Sequence, residues 1–171
     1  MAHLEGMKTT AHLYAHAIAI EREAAERYSE FAERMSDCGN DAAAEIFATL
    51  ARLEAEHLDE LLQRSARMKL PELARERYAW LDRAAPETAA RELVFRLMTP
   101  RHALEIALLG EARAAAFFES VVMTAEDPLL RTLAAEMAAD ENDHIVMLEK
   151  LLEKTPDPVV DWASVYEREA S

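Results

Sequence analysis

Cysteine and long apolar runs are scarce in this chain of 171 residues. A single cysteine, Cys38, excludes an internal disulfide framework and any four-cysteine zinc or iron–sulfur module within the chain. No apolar run reaches the roughly 18 residues that a membrane span needs. The segment around His3 and Glu5 also lacks the apolar core of a signal peptide. We therefore expect a cytoplasmic protein that does not bind membranes.

Positive charge is also in short supply. The chain has 19 Lys plus Arg against 33 Asp plus Glu, which gives a formal net charge of −14. A surface this acidic repels the phosphates of nucleic acids and anionic lipids, whereas it attracts cations. We therefore expect no nucleic-acid partner.

Glycine is rare as well, with three residues in the whole chain. Together with 51% hydrophobic and 30% charged residues, this composition predicts one globular, almost entirely helical domain. Gly39 suits a left-handed cap after the first helix, and Thr99-Pro100 and Asp127-Pro128 suit the starts of two later helices. These signals predict long helices at about residues 10–35, 41–65, 100–124 and 128–154.

The predicted connections determine the architecture. Short turns join the first helix to the second and the third to the fourth, so each pair forms an antiparallel hairpin. Residues 66–99 form a long crossover, in which we expect short helices near residues 72–83 and 87–98. This all-α four-helix bundle with one long crossover is the class that contains ferritin-like folds. We assign residues 1–156 to the bundle and residues 157–171 to a C-terminal tail, packed by Trp162 and Tyr166.

Each predicted helix carries an acid where its periodicity requires an apolar side chain. Glu21 interrupts the apolar stripe of the first helix, and Glu111 interrupts that of the third. The stripes of the second and fourth helices contain Glu-x-x-His motifs, Glu54 with His57 and Glu141 with His144, among Phe47, Leu50, Leu58, Leu61, Leu62, Met137, Ile145, Leu148 and Leu151.

The cost of burying these acids makes the pattern informative. An ionised carboxylate in a dry core costs several kcal/mol unless it is paired or binds a metal. No Lys or Arg lies on these stripes near the acids, and two divalent cations would balance four carboxylates. In Glu-x-x-His the two side chains lie about one turn apart on one face, so both can bind one ion. Carboxylate-rich coordination with one imidazole per metal favours iron or manganese over a closed zinc site.

The same pattern occurs in both hairpins. Glu21 precedes Glu54 by 33 residues, and Glu111 precedes Glu141 by 30 residues. A Glu-x-x-His motif alone is weak evidence because glutamate is abundant in this chain. Its repetition with a second glutamate at similar spacing indicates an internal duplication, with one metal near each motif.

These residues make the sequence resemble the rubrerythrin-type, ferritin-like di-iron carboxylate proteins over most of residues 10–154. Further matches are Glu21-Arg22-Glu23-Ala24 followed by Tyr28, and Gly110-Glu111. The resemblance implies two iron ions, with manganese or a mixed pair as alternatives. It implies six ligands, which are Glu21, Glu54, His57, Glu111, Glu141 and His144. In that scheme Glu21 and Glu111 are terminal or bridging carboxylates, Glu54 and Glu141 are bridging candidates, and each iron has one imidazole.

The resemblance also implies an oxidoreductase whose di-metal centre reacts with peroxide or dioxygen. Full-length rubrerythrins carry a rubredoxin domain with four cysteines, so this chain is expected to use an external electron donor, either rubredoxin-like or a reductase. Rubrerythrins also carry an extra glutamate one turn after the third-helix ligand, where this chain has Ala114. This departure argues against efficient peroxide reduction and favours a more general ferritin-like oxidase or iron-handling protein.

Two other functions stay open from the sequence. One is iron binding and oxidation for storage, which requires assembly into a cage, and the other is a metal-free structural bundle. We expect a homodimer. Core packing is the favoured role for Tyr28 over forming a hydrogen bond to a ligand or carrying a radical. The other polar residues near the motifs are expected at the surface; these are His12, His16, Glu56, Glu60, Asp140 and Asp143.

Overall fold

The computed structural model describes residues 9–37, 39–73 and 98–156. These residues form four α-helices, which are α1 (Thr10–Asp37), α2 (Asp41–Ser65), α3 (Pro100–Thr124) and α4 (Pro128–Lys154). The predicted all-α bundle is confirmed, although α1 runs two residues beyond its predicted end. Most of the crossover, the tail with Trp162 and Tyr166, and Cys38 lie outside the described residues.

The turn between α1 and α2 is closed by Gly39 and Asn40. Gly39 has φ of 73°, the left-handed conformation that glycine adopts without a side-chain clash. The Asn40 N–H then donates to the Met35 carbonyl at 2.8 Å, as in a Schellman motif. Asn40 also caps α2, because its side-chain oxygen accepts from the Ala43 N–H at 3.3 Å. The chain therefore reverses within three residues, which makes α1 and α2 a hairpin.

The second hairpin begins with two proline-containing caps. The Thr99 side chain accepts from the His102 N–H and the His102 ring accepts from the Thr99 N–H, while Pro100 occupies the first turn. Asp127 caps α4 by accepting from the Leu129 N–H at 2.9 Å. Both prolines lie where a helix leaves its N–H groups unpaired, so they cost no hydrogen bond.

Contacts between the hairpins define the direction of each helix. The α1 helix packs against α2 and α3 packs against α4, while α1 also contacts α4 and α2 contacts α3. The Asn40 amide donates to the Met98 carbonyl, so α2 and α3 begin at the same end of the bundle. At the other end, Arg64 late in α2 pairs with Glu136 early in α4 at 2.7 Å. The connection between α2 and α3 therefore begins at one end of the bundle and finishes at the other, as a crossover does.

The core consists of two apolar clusters. One lies near the start of α1 and includes Leu13, Phe118 and Leu130; the other lies near the start of α2 and includes Met35 and Phe47. Four glutamates and two histidines lie between the clusters along the helices. Apolar burial at about 25 cal/mol per Å² therefore stabilises the frame on both sides of a polar middle layer.

The edges of the apolar stripes differ from the prediction at two leucines. Leu62 is 40% exposed and Leu151 is 43% exposed, so neither belongs to the core. None of the described helices is both long and apolar enough to cross a membrane.

Replacing Asn40 tests the junction between the two hairpins. Asn40→Ala removes the cap of α2 and the amide that bonds Met98, so it is expected to lower the free energy of unfolding by about 1–2 kcal/mol. Asn40→Asp keeps the capping oxygen and loses only the amide donor. Its free energy of unfolding in urea should therefore lie between those of the wild type and Asn40→Ala. Equal stability of Asn40→Ala and the wild type would contradict this assignment.

Candidate metal centre

Each helix contributes one buried glutamate to the middle layer of the bundle. The exposed fractions are 6% for Glu21, 2% for Glu54, 4% for Glu111 and 3% for Glu141. In the described part of the chain, no lysine or arginine forms an ion pair with any of the four. Lysine and arginine therefore do not compensate these four acids, as the stripes predict.

His144 lies at the centre of three of these carboxylates. Its Nδ1 is 3.2 Å from Glu111 Oε2, 3.8 Å from Glu54 Oε1 and 3.9 Å from Glu141 Oε2. The donor atoms of Glu54, Glu111 and His144 all lie within 4.8 Å of one another. Donors about 2.1 Å from a shared ion lie at most about 4.2 Å apart, so a small contraction brings these three onto one metal.

The second histidine is placed less closely to the acids. The His57 ring stacks on the His144 ring, with centroids 4.6 Å apart and an interplanar angle of 22°. Among the described residues, no carboxylate oxygen lies within ion-pair distance of His57. The two halves of the site therefore share a residue pattern but differ in geometry, with the donors gathered around His144.

Burial decides the protonation of the centre in the metal-free chain. Burial raises the pKa of Glu21 to about 8, and it raises the pKa values of Glu54 and Glu141 further. A hydrogen bond with Glu21 adds to the rise at Glu54, and the charge of Glu111 adds to the rise at Glu141. Without metal, these carboxyls therefore hold protons near neutral pH.

The two histidines respond in opposite directions. Burial lowers the pKa of His57, and the charge of His144 lowers it further. Burial alone would also lower the pKa of His144, but the hydrogen bond to Glu111 and the charge of Glu54 outweigh it, so the net direction is upward. His57 is therefore a neutral nitrogen donor near neutral pH.

Two buried oxygens in this layer have no hydrogen-bond partner. They are Glu21 Oε2 and Glu54 Oε1. An unpaired buried acceptor costs about 1–3 kcal/mol, so a native protein satisfies it by some means. Unpaired carboxylate oxygens beside imidazole nitrogens fit a divalent cation, so the residues present match the donor set of a metal centre.

Tyr28 connects α1 to this layer. Its hydroxyl donates to Glu111 Oε1 at 3.0 Å, while its ring packs on Phe47 with centroids 6.0 Å apart. Burial, followed by the charge of Glu111, raises the pKa of Tyr28, so the hydroxyl keeps its proton. The favoured role in core packing is therefore incomplete, because Tyr28 also orients a predicted ligand.

Gly110 makes room for that hydroxyl, a role that the sequence did not reveal. A Cβ atom at position 110 would lie 3.0 Å from the Tyr28 oxygen. Glycine within a helix costs about 1 kcal/mol relative to alanine. A glycine next to a predicted ligand therefore indicates that a neighbouring group needs the space of its missing side chain.

Two cavities border the centre. The cavity on the α1 and α3 side reaches Glu54, Glu111 and Glu141. Its exposed lining is mainly apolar, at Ile20, Ala24 and Ala114, although Glu23 and Arg113 also border it. The cavity on the α2 and α4 side reaches Glu21 and His57 and has a more polar lining. The centre is therefore accessible from two chemically different sides.

The structure brings together most of the predicted ligands. Glu54, Glu111 and Glu141 surround His144, Glu21 influences the pKa of Glu54, and the His57 ring stacks on the His144 ring. Their roles as metal ligands stay a prediction. The two histidines of α1 lie away from the centre and make other contacts. His12 forms a hydrogen bond with Thr9 at 2.7 Å, and His16 stacks on Phe117 with ring centroids 5.6 Å apart.

A four-helix bundle in which every helix buries a glutamate, and two helices add Glu-x-x-His, has the donor pattern of the ferritin-like carboxylate proteins. The family model described as Rubrerythrin matches residues 13–93. A solved structure of an uncharacterized conserved protein from Magnetospirillum magnetotacticum MS-1 is 39% identical. It covers 89% of this chain and 99% of its own, with a TM-score of 0.73. A search of the curated proteins found no match.

The chain belongs to the rubrerythrin-type family of ferritin-like di-iron proteins. The family model covers α1, α2 and part of the crossover, whereas the solved structure extends the similarity over both hairpins. The family implies a di-iron centre, and the described residues contain a donor group that can hold a metal ion.

The pH dependence of stability tests the protonated, metal-free centre. A carboxyl with a raised folded-state pKa adds stability below its unfolded value of 4.5, and that stability is lost as the pH rises through the folded value, about 8 for Glu21. Between these two pKa values, such a group lowers the free energy of unfolding by up to about 1.4 kcal/mol per pH unit. We expect urea unfolding of the metal-free protein to show falling stability from pH 6 to pH 8.

Two variants identify the source of that slope. Glu21→Gln cannot ionise, so its stability should fall less steeply with pH. Glu30→Gln removes an exposed acid from the same helix and should keep the wild-type slope. Parallel slopes for the wild type and Glu21→Gln would contradict the protonated centre.

A pair of substitutions tests the support of Glu111. Tyr28→Phe removes the hydroxyl that bonds Glu111, and Gly110→Ala pushes against the same hydroxyl. Both are expected to lower the affinity for Mn²⁺ by about tenfold, the effect of losing a partner that orients a ligand. Isothermal titration calorimetry measures this affinity. Phe31→Leu, a change in the neighbouring core, serves as the control, and equal loss of affinity in all three variants would contradict a specific role for Tyr28.

Proposed function

We propose that this chain binds two iron ions at its middle layer and is an oxidoreductase that reacts with dioxygen or peroxide. The observation that carries the proposal is the burial of four carboxylates without a lysine or arginine partner in the described part of the chain. Two divalent cations balance four carboxylates and satisfy the unpartnered oxygens of Glu21 and Glu54.

The donor geometry supports an assignment for one proposed ion, and a shared cavity lining supports the assignment for the other. Glu54, Glu111 and His144 would hold one ion, because their donor atoms already lie together. Glu21 and His57 would hold the other, with Glu141 close enough to His144 to reach the first ion as well. A bound iron pair would supply the electrons for reducing the oxidant. Manganese is the alternative metal for the same ligands.

The cavity on the α1 and α3 side is suited to a small, uncharged oxidant. Its apolar lining at Ile20, Ala24 and Ala114 lies beside three of the proposed ligands. Ala114 leaves this space open, whereas a longer acidic side chain would extend into it. Tyr28 keeps its proton at the wall of this cavity, where it orients Glu111. These contacts support the admission of dioxygen or hydrogen peroxide from this side.

The proposal includes partners that supply electrons and complete the assembly. The proposed ligands provide no electron store beyond the metal pair, so turnover requires an external donor, rubredoxin-like or a reductase. We further propose a cytoplasmic homodimer. A solution mass of two chains would support this assembly, whereas a cage of many chains would favour iron storage instead.

Metal stoichiometry and oxidation together test the proposal. After anaerobic loading with Fe²⁺ and removal of excess metal, elemental analysis should find two irons per chain in the wild type. Addition of dioxygen or peroxide should then produce the near-ultraviolet absorption of ferric iron. Glu54→Ala should bind at most one iron and stay folded, because it removes a buried carboxyl.

Glu56 offers a matched control two residues away on α2. It is exposed and pairs with Arg52 at 2.7 Å on the surface, so Glu56→Ala should retain two irons. Two irons per chain in Glu54→Ala, or fewer than one in the wild type, would overturn the proposed centre.

A further inference from the structure

The cavity on the α2 and α4 side contains acids at two depths. At its mouth Glu60 and Asp140 are exposed, below them His57 is half-buried, and Glu21 is buried at 6% exposure. On α2, Glu60 lies three residues after His57, which places both on one helix face. On α4, Asp140 lies one turn before His144. Carboxylates therefore line the cavity both at its solvent-exposed mouth and at its buried end in the middle layer.

The buried end of this cavity has an acceptor without a donor. Glu21 lines the cavity, and its Oε2 has no hydrogen-bond partner although the side chain is more than nine-tenths buried. Because such an oxygen is costly to leave unpaired, the floor of the cavity is suited to receive a cation.

The exposed end of the cavity keeps a negative charge. In the described part of the chain, neither Glu60 nor Asp140 forms an ion pair. Among the residues that the structure describes, the lining has one cationic side chain, Arg64, which pairs with Glu136 at 2.7 Å and lies 6.0 Å from the centre of the Tyr14 ring. Its charge is therefore compensated, and the two carboxylates determine the sign of the field at the mouth. Such a field concentrates divalent cations.

We propose that this cavity is the uptake route for divalent cations, in which Glu60 and Asp140 bind an incoming ion and pass it to His57 and Glu21. This inference rests on the proposed metal centre and adds to it a path and an outer binding position. The cavity on the other side exposes a mainly apolar surface and has Arg113 in its lining, so it is less suited to attract a cation.

The rate of metal binding tests this route without measuring activity. The metal-free protein is mixed with Co²⁺ in a stopped-flow instrument, and free Co²⁺ is followed with a metallochromic dye. Glu60→Gln with Asp140→Asn should slow binding on the order of tenfold and weaken its dependence on ionic strength, because steering by charge is lost. The final stoichiometry should stay at two ions per chain.

A charge-matched control separates the route from the overall field of the protein. Glu30→Gln with Glu33→Gln removes the same charge from exposed positions late in α1 and should bind Co²⁺ at the wild-type rate. Unchanged rates in the Glu60 and Asp140 variant, or equal slowing in both double variants, would overturn the route. A reduced final number of bound ions in the Glu60 and Asp140 variant would also overturn the route, because Glu60 and Asp140 would then be ligands of the centre itself. If the wild type binds no Co²⁺, the proposed centre itself fails.

Discussion

The compensation of four buried carboxylates is the constraint on which this molecule depends. The two apolar clusters favour the close approach of the helices, while that approach brings Glu21, Glu54, Glu111 and Glu141 out of water. Ionised acids in this position would repel one another strongly. The bundle therefore requires either protons or cations in its middle layer, and stability, metal binding and pH response all follow from which of them is present.

The position of this layer explains how one frame serves both conditions. Core packing is continuous on each side of it, from Leu13 and Phe118 at one end to Met35 and Phe47 at the other. The helices are consequently held in place by apolar contacts that do not involve the acids. In the proposed metal-bound state, side chains of the middle layer would exchange protons for metal without the loss of that packing.

Much of the fold and of the acidic layer follows from local signals in the sequence. Gly39, Thr99-Pro100 and Asp127-Pro128 act within one or two turns, so they define helix ends without reference to the rest of the fold. The acids on apolar stripes likewise predict burial, because a helix face is a property of spacing. Leu62 and Leu151 are exceptions, since the width of a buried stripe depends on how closely the neighbouring helices approach.

Contacts across helices could not be predicted in the same way, and the stacked imidazoles show why they matter. Periodicity places His57 and His144 on inward faces but does not specify that their rings lie 4.6 Å apart, nearly parallel. Because the two rings are stacked, a change in the orientation of one ring alters its packing against the other. The orientations of the nitrogen donors on the two hairpins therefore depend on each other through one ring contact, which joins the two halves of the chain at the centre of the bundle.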